Sequence, residues 1–306
     1  MGNTVLVLGA NGLVGGQAAK AFAVAGWQVR AYQRGTDMNA AAQGVDVIFN
    51  GLNPPNYHDW DNIIPAITAQ VIAAGLASGA TVLQPGTVYV YGAQPGPWNA
   101  DTRQVPASRK GGIRVQMEAD FRAATERGLR VILLRAGDFI DPDAPRSVWN
   151  MIALKYAGSG RIISLADRDT KRAYAYLPDL ARAFVALAER RASLPAYADI
   201  PFGGYTLTMR QVAADVERLT GRRMTLWGFP WGLLRLTAPV WEMAREMVEM
   251  RYLWRTSHGL DAAPLAKLLP DFRMTPLDDV LRAELAVLAP NLLATQGTVI
   301  STQTGR

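Results

Sequence analysis

The segment Thr4-Val5-Leu6-Val7-Leu8 runs directly into Gly9-Ala10-Asn11-Gly12-Leu13-Val14-Gly15. A β-branched, apolar stretch is followed by regularly spaced glycines and then by the helix-forming residues 17–25, which Gly26 can end. Strand, glycine turn and helix in that order are how a parallel α/β sheet holds a pyrophosphate. Glycines let backbone N–H groups approach phosphate oxygens, and the helix points its positive end at them. On this reading Gly9 makes the tight turn, Gly12 clears space for phosphates, and Gly15 lets the helix pack on the strand.

The rhythm continues along the chain. Strands are predicted at 28–32, 45–50, 81–84 and 129–134, with helices at 61–78 and 109–127 between them. Within 61–78, Ile63, Ile64, Ile67, Val71, Ile72 and Leu76 fall on one face, as a buried helix requires. Residues 86–96 are rich in Gly, Pro and Tyr and read as a loop. Alternation at this spacing implies an α/β fold built on a doubly wound parallel sheet, a Rossmann sheet. Beyond residue 140 the pattern loosens. A helix is predicted at 178–190, with Pro178 and Asp179 in its first turn, and another at 208–219 with Thr208 as N-cap. Residues 224–252 are dense in Trp, Met and Leu.

Composition excludes several chemistries. The chain has no cysteine, so thiolate metal sites and a cysteine nucleophile are ruled out. With His58 and His258 the only histidines, no metal centre is expected. The net charge of +6 is scattered in pairs such as Arg109-Lys110, Lys171-Arg172 and Arg222-Arg223, without a nucleic-acid motif. A small anionic cofactor explains it better than nucleic acid. Residues 227–241 are apolar but interrupted by Arg235 and Pro239, too short to span a bilayer. No charged region followed by an apolar core opens the sequence, so the expectation is a cytoplasmic protein that binds neither membrane nor nucleic acid.

Four landmarks in order resemble the short-chain dehydrogenase/reductase superfamily, in its extended or atypical branch near the nucleotide-sugar epimerases and dehydratases. Gly9-x-x-Gly12-x-x-Gly15 resembles that branch's glycine pattern. Gly86-Thr87-Val88-Tyr89-Val90-Tyr91-Gly92 resembles its serine-containing segment, and Leu134-Arg135-Ala136-Gly137-Asp138-Phe139 the segment that meets the nicotinamide end. Tyr176-Leu177-Pro178-Asp179-Leu180-Ala181 completes the set. The resemblance implies a dinucleotide-binding domain over about 1–165, with return segments at about 166–205. It further implies a smaller C-terminal substrate lobe over 206–294, and a flexible tail is expected at 295–306. Cofactor contacts implied by the matching positions are Gly9, Asn11, Gly12, Leu13, Gly15, Gln33, Arg34, Asn50, Gly51, Leu52, Lys110, Ala136, Asp138 and Phe139. A homodimer is common in the resembled superfamily.

The catalytic signature departs from that pattern. Where the superfamily has Tyr-x-x-x-Lys, this chain has Lys110-x-x-x-Arg114, with Glu118 four residues on. The spacing resembles the isoflavone-reductase-like branch, where a lysine beside NADPH is the general acid/base. Residues at i, i+4 and i+8 share a helix face, and a neighbouring cation such as Arg114 disfavours a charged Lys110. Lys110, Thr87 and Arg114 are therefore the catalytic candidates, with Thr87 offering a hydroxyl to a carbonyl or oxyanion. Tyr89 and Tyr91 are the nearby phenols on the substrate side.

The end of the second strand reads Tyr32-Gln33-Arg34-Gly35, with Asp37 arriving late. An NAD site puts a carboxylate there for the ribose hydroxyl, whereas arginine pairs with a 2′-phosphate. NADP is thus expected ahead of NAD. The aromatics Trp227, Phe229, Trp231, Trp241, Tyr252 and Trp254 suit either a ring-bearing substrate or the core of the C-terminal lobe. Loops after strands, at 53–57 and 95–98, are expected to line the site. The leading expectation is an NADP-dependent oxidoreductase acting on a small carbonyl or enone. The alternatives are a nucleotide-sugar epimerase or dehydratase that recycles bound NAD, or a non-catalytic NADP-binding redox sensor.

Overall fold

The computed structural model describes residues 2–54, 57–143 and 147–294. The expected tail, and Pro55 and Asn56 of the 53–57 loop, lie outside the described residues. In chain order the first elements are β1 (Thr4–Leu8), α1 (Leu13–Val24), β2 (Gln28–Ala31), α2 (Met38–Ala41), β3 (Val47–Asn50), α3 (Trp60–Ser78), β4 (Thr81–Thr87), α4 (Arg109–Ala124) and β5 (Val131–Ala136). They are followed by β6 (Asp138–Ile140), β7 (Arg161–Ser164), β8 (Arg172–Tyr176), α5 (Leu177–Glu189), β9 (Tyr197–Pro201), β10 (Tyr205–Leu207) and α6 (Met209–Thr220). The last are β11 (Thr225–Gly228), α7 (Trp231–Thr237), α8 (Glu242–Glu249), α9 (Ala263–Leu268), α10 (Leu277–Leu288) and α11 (Pro290–Ala294).

Six parallel strands form the central sheet in the order β2-β1-β3-β4-β5-β9. Successive strand residues alternate between two covered faces. Val5, Val7, Val47 and Phe49 pack with Phe22 of α1 and Leu180 and Phe184 of α5. Leu6, Leu8, Ile48 and Val82 pack with Trp60 and Val71 of α3 and Phe121 of α4. Because both faces are covered there, the inner strands β1 and β3 are buried throughout and read as mostly apolar runs. The strand order turns at β1, with β2 on one side and β3 on the other. Open α/β sheets bind ligands outside the carboxyl ends of the strands at such a point.

Several boundaries move. β4 extends to Thr87, beyond the expected 84, because Gln84 to Thr87 pair in register with Leu133 to Ala136 of β5. Residues 88–91, expected as loop, close into a 3₁₀ turn. The helix expected at 109–127 is α-helical to Ala124 and 3₁₀ over its last turn. Strands β6, β8 and β10 form a second small sheet, and β7 pairs with β11. These strands are three to five residues long and lie where the strand–helix alternation that marks β1 to β5 has loosened. One C-terminal core gathers Ile140, Ile162, Val212, Val216 and Leu281. Another packs Val90, Tyr91 and Trp98 against Trp231, Leu234 and Trp254, tying the turn after β4 to the α7–α8 region.

Candidate active site

The turn after β1 is built without room for side chains. Gly9 has φ +75°, and a Cβ on Gly15 would lie 2.2 Å from the Gly9 carbonyl oxygen. A Cβ on Gly51, after β3, would lie 3.0 Å from the Gly15 Cα, so the two turns meet backbone to backbone. Gly12 is the N-cap of α1 and offers no side-chain cap, and the first turn holds no acidic residue. The positive end of the helix therefore faces outward beside exposed Asn11, as an anion site needs. Leu13 instead packs toward the core. Asn50 is buried and braces the turn after β3. Its amide donates to Gln84 Oε1 at 2.7 Å, and its Oδ1 accepts from the Leu52 N–H at 3.4 Å.

Beside this cradle lies a cleft of about 710 Å³ lined by Tyr32, Arg34, Asp37, Leu52, Asn53 and Ile67, among others. Among the described residues Arg34 makes no hydrogen bond or ion pair. Asp37 is committed elsewhere, its Oδ1 accepting the Asn39 N–H at 2.9 Å as the cap of α2. Gln33 is exposed, and its carbonyl accepts the Thr36 hydroxyl at 2.7 Å. A glycine cradle, an adjoining cleft and a free guanidinium on its wall fit the pyrophosphate and nucleoside of a dinucleotide.

Helix α4 starts at the Ser108 cap, whose Oγ accepts the Gly111 N–H at 3.0 Å. Lys110 follows and is fully buried. Its ammonium is ion-paired to Glu246, and to Glu249 at 2.5 Å, both on α8. Arg114, expected beside it, donates to Asn53 Oδ1 at 2.8 Å and its guanidinium lies 4.6 Å from the Trp60 ring centroid. The ion-pair partners of Lys110 are carboxylates, for which the sequence held no expectation. Glu118 does not join them either. It binds Arg135 through both oxygens at 2.8 and 2.9 Å, and accepts from Gln104 at 2.6 Å. Burial pushes the Glu246 carboxyl up, but hydrogen bonding and charge from Lys110, then Arg109 and Arg245, leave it below the usual carboxylate range.

At the end of β4 the Thr87 hydroxyl is buried and has no partner among the described residues, while its carbonyl accepts from Arg135 at 2.7 Å. Tyr89 brings its phenol to 3.5 Å from that of Tyr57. Burial raises both phenols above the ordinary tyrosine range, Tyr89 well above it. Tyr91, expected on the substrate side, is instead a core residue. It is 1% exposed, donates its hydroxyl to the Asn99 carbonyl at 2.7 Å and packs on Trp98. Ala136 is buried, Phe139 packs toward the main core, and Asp138 is ion-paired to Arg172. His58 faces Glu242, not its neighbour Asp59.

Arg172 is 2% exposed, and among the described residues its Nε and Nη1 have no hydrogen-bond partner. With Asp138, Trp149, Tyr174 and Trp254 it lines a second, small pocket. Trp149 Nε1 is likewise buried and unpartnered. In the sequence Arg172 is one of a scattered basic pair and Tyr57 falls in the 53–57 loop expected to line the site, whereas Glu246 and Glu249 carry no expectation. The signal for Arg172 is its place at the head of Arg172-Ala173-Tyr174-Ala175-Tyr176, a strand pattern before the Pro178 helix start. For Glu246 and Glu249 the sequence carries none, since a carboxylate pair at i, i+3 reads as a solvated helix face.

No curated protein matches the sequence. Among solved structures the chain is similar to MoeE5 in complex with UDP-glucose and NAD, with a TM-score of 0.74 at 17% identity over 95% of this chain and 100% of that one. It is similar to UDP-glucuronic acid 4-epimerase from Bacillus cereus in complex with UDP-glucuronic acid and NAD, with 0.74 at 16% over 94% and 99%. A putative epimerase from Burkholderia cenocepacia J2315 gives 0.72 at 17% over 96% and 98%. At such identities the likeness is one of fold. Residues 53–201 match the NAD dependent epimerase/dehydratase family, a span that begins after the glycine turn. The parallel sheet and the glycine cradle are thus part of a fold shared with these solved epimerase-type structures, and the family match extends over residues 53–201 of it.

Proposed function

We propose that the chain binds a nicotinamide dinucleotide across the Gly9–Gly15 turn and acts as an epimerase/dehydratase-type enzyme on a nucleotide-linked sugar. This reading departs from the small carbonyl or enone expected from the sequence. The family match supports it, as do neighbours whose complexes hold UDP-sugars and NAD. The observation that carries it is Arg172. Two buried guanidinium N–H donors without acceptors among the described residues call for the oxygens of an anionic group, and a sugar nucleotide brings a diphosphate.

Gly9, Gly12 and Gly15 would hold the cofactor pyrophosphate and Arg34 would meet its ribose end. Bound there, the dinucleotide accepts or returns a hydride. The free Thr87 hydroxyl is a donor for a substrate oxygen, and the half-buried Tyr57 and Tyr89 phenols stay protonated near it. Incubation with NAD and either UDP-glucose or UDP-glucuronic acid, followed by NMR of the sugar, is expected to show an altered sugar. Arg172→Met is expected to weaken sugar-nucleotide binding about tenfold or more, the loss of a charge-assisted contact. Unchanged binding in that variant, or no uptake of either nicotinamide coenzyme by the parent protein, would overturn the reading.

One observation favours a second reading, an NADP-dependent oxidoreductase: Arg34 stands unpaired on the cleft wall. Under it, Arg34→Ala lowers affinity for NADPH and leaves that for NADH, in parallel fluorescence titrations. An unmoved ratio removes the case for NADP.

A further inference from the structure

We infer that Glu246 and Glu249 are positioning residues of this site: they seat the Lys110 side chain, so that the C-terminal lobe completes the α4 end of the site. The inference rests on the proposed function for the statement that the Tyr57 and Tyr89 phenols stand beside the reacting groups.

Lys110 occupies the position of the missing tyrosine, yet it is fully buried and faces no open space. Glu249 grips it twice. One carboxylate oxygen takes the ammonium at 2.5 Å, and the other accepts the Lys110 backbone N–H at 3.1 Å. A single carboxylate that holds both ends of one residue leaves the side chain little rotational freedom. Glu246, one helical turn earlier and 4% exposed at its side chain, takes the same ammonium. Arg109 extends the cluster by pairing with Asp61 of α3 and with Glu246 at 3.2 Å. Elements α3, α4 and α8 therefore converge on one knot of charge.

The knot directs Lys110 inward, with its nitrogen 5.1 Å from the centroid of the Tyr57 ring. Tyr57 in turn carries the phenol that meets Tyr89. Tyr57 and Asp59 hold left-handed φ values of 61° and 46°, which few non-glycine residues adopt, so the loop is held against its own preference. The lysine acts as a fixed cation behind the phenol pair, and α8 sets where that cation sits. As a free proton donor it would need an open side, and it has none.

Acetic anhydride labelling of the full chain, read by mass spectrometry, tests this directly, with exposed Lys155 as internal reference. Lys110 of the parent protein is expected to label far more slowly than Lys155. In Glu249→Gln, Lys110 labelling relative to Lys155 is expected to rise about tenfold, because the carboxylate that holds both its ammonium and its backbone N–H is gone. Glu249→Asp, which keeps the charge, restores slow labelling. Glu249 is 23% exposed at its side chain, so its removal leaves less buried charge stranded than removal of Glu246. If Lys110 stays as slow in Glu249→Gln as in the parent, or if Glu249→Asp labels as fast as Glu249→Gln, Glu249 only ties the lobes together and the inference fails. Coenzyme titration of the same parent preparation keeps the two readings apart: absent uptake sinks the proposed function, whereas the labelling ratio alone judges the carboxylates.

Discussion

Gly15 shows how hard a single position can be constrained. A methyl group there would lie 2.2 Å from a backbone oxygen, and backbone cannot swing aside as a side-chain tip can. Gly15→Ala is expected to cost about 1–3 kcal/mol of stability and to abolish coenzyme uptake. Thermal denaturation with calorimetric titration checks both, and a native-like melt with intact uptake would contradict the backbone contact. Arg135 is the other extreme, a buried cation held by Glu118 and by Asp199 at 2.7 Å. Its guanidinium loses to burial but gains more from Glu118 and then Asp199, which hold it above the ordinary arginine range. Arg135→Leu strands two buried carboxylates and is expected to cost on the order of 3–5 kcal/mol in urea unfolding. A loss under 1 kcal/mol, roughly what an exposed pair contributes, would mean the carboxylates find water.

At the scale of elements, local chemistry was legible wherever a helix announces itself. Thr208 was readable as a cap, and the structure adds the reciprocal half: Gln211 Oε1 accepts the Thr208 N–H at 2.8 Å while Thr208 Oγ1 accepts the Gln211 N–H at 3.1 Å. Thr208→Ala is expected to lower stability by about 1 kcal/mol, seen as a small drop in melting temperature. The same legibility failed for β6 to β11, strands of three to five residues where the strand–helix alternation has loosened. It failed also for α8. Its carboxylates meet Lys110 across 139 residues of sequence, and nothing local distinguishes them from a solvated face.

At the scale of the molecule, two buried groups set opposite pH limits. Glu284 is fully buried near Asn150, and burial pushes its carboxyl up to about 8 from an ordinary 4.5. The folded chain then keeps a proton that the unfolded chain releases, so stability falls as pH rises through that window. His258 is stacked on Trp98, and burial, then the charge of Arg172, pulls it down to about 3 from 6.5. Here the unfolded chain takes up the proton first, so stability falls as pH drops from about 6.5 to about 3. The two slopes offset one another between about 4.5 and 6.5. Urea unfolding is expected to show about 2 kcal/mol lost between about pH 6.5 and 8, and Glu284→Gln is expected to flatten that limb. A parent protein with no loss in that range would place the Glu284 carboxyl in contact with solvent.

By itself the sequence determined the sheet class, the glycine cradle, the main helices and the absence of the usual tyrosine, because each is written in neighbouring residues. Backbone sterics, capping and hydrophobic period act over a turn or a strand, and one chain suffices to read them. Only the tertiary structure decided what surrounds Lys110, where Glu118 spends its charge, that Tyr91 belongs to the core, and that Arg172 keeps two donors free. Those outcomes depend on which charges and rings folding brings within a few ångströms, and Coulomb and packing forces take no account of distance along the chain.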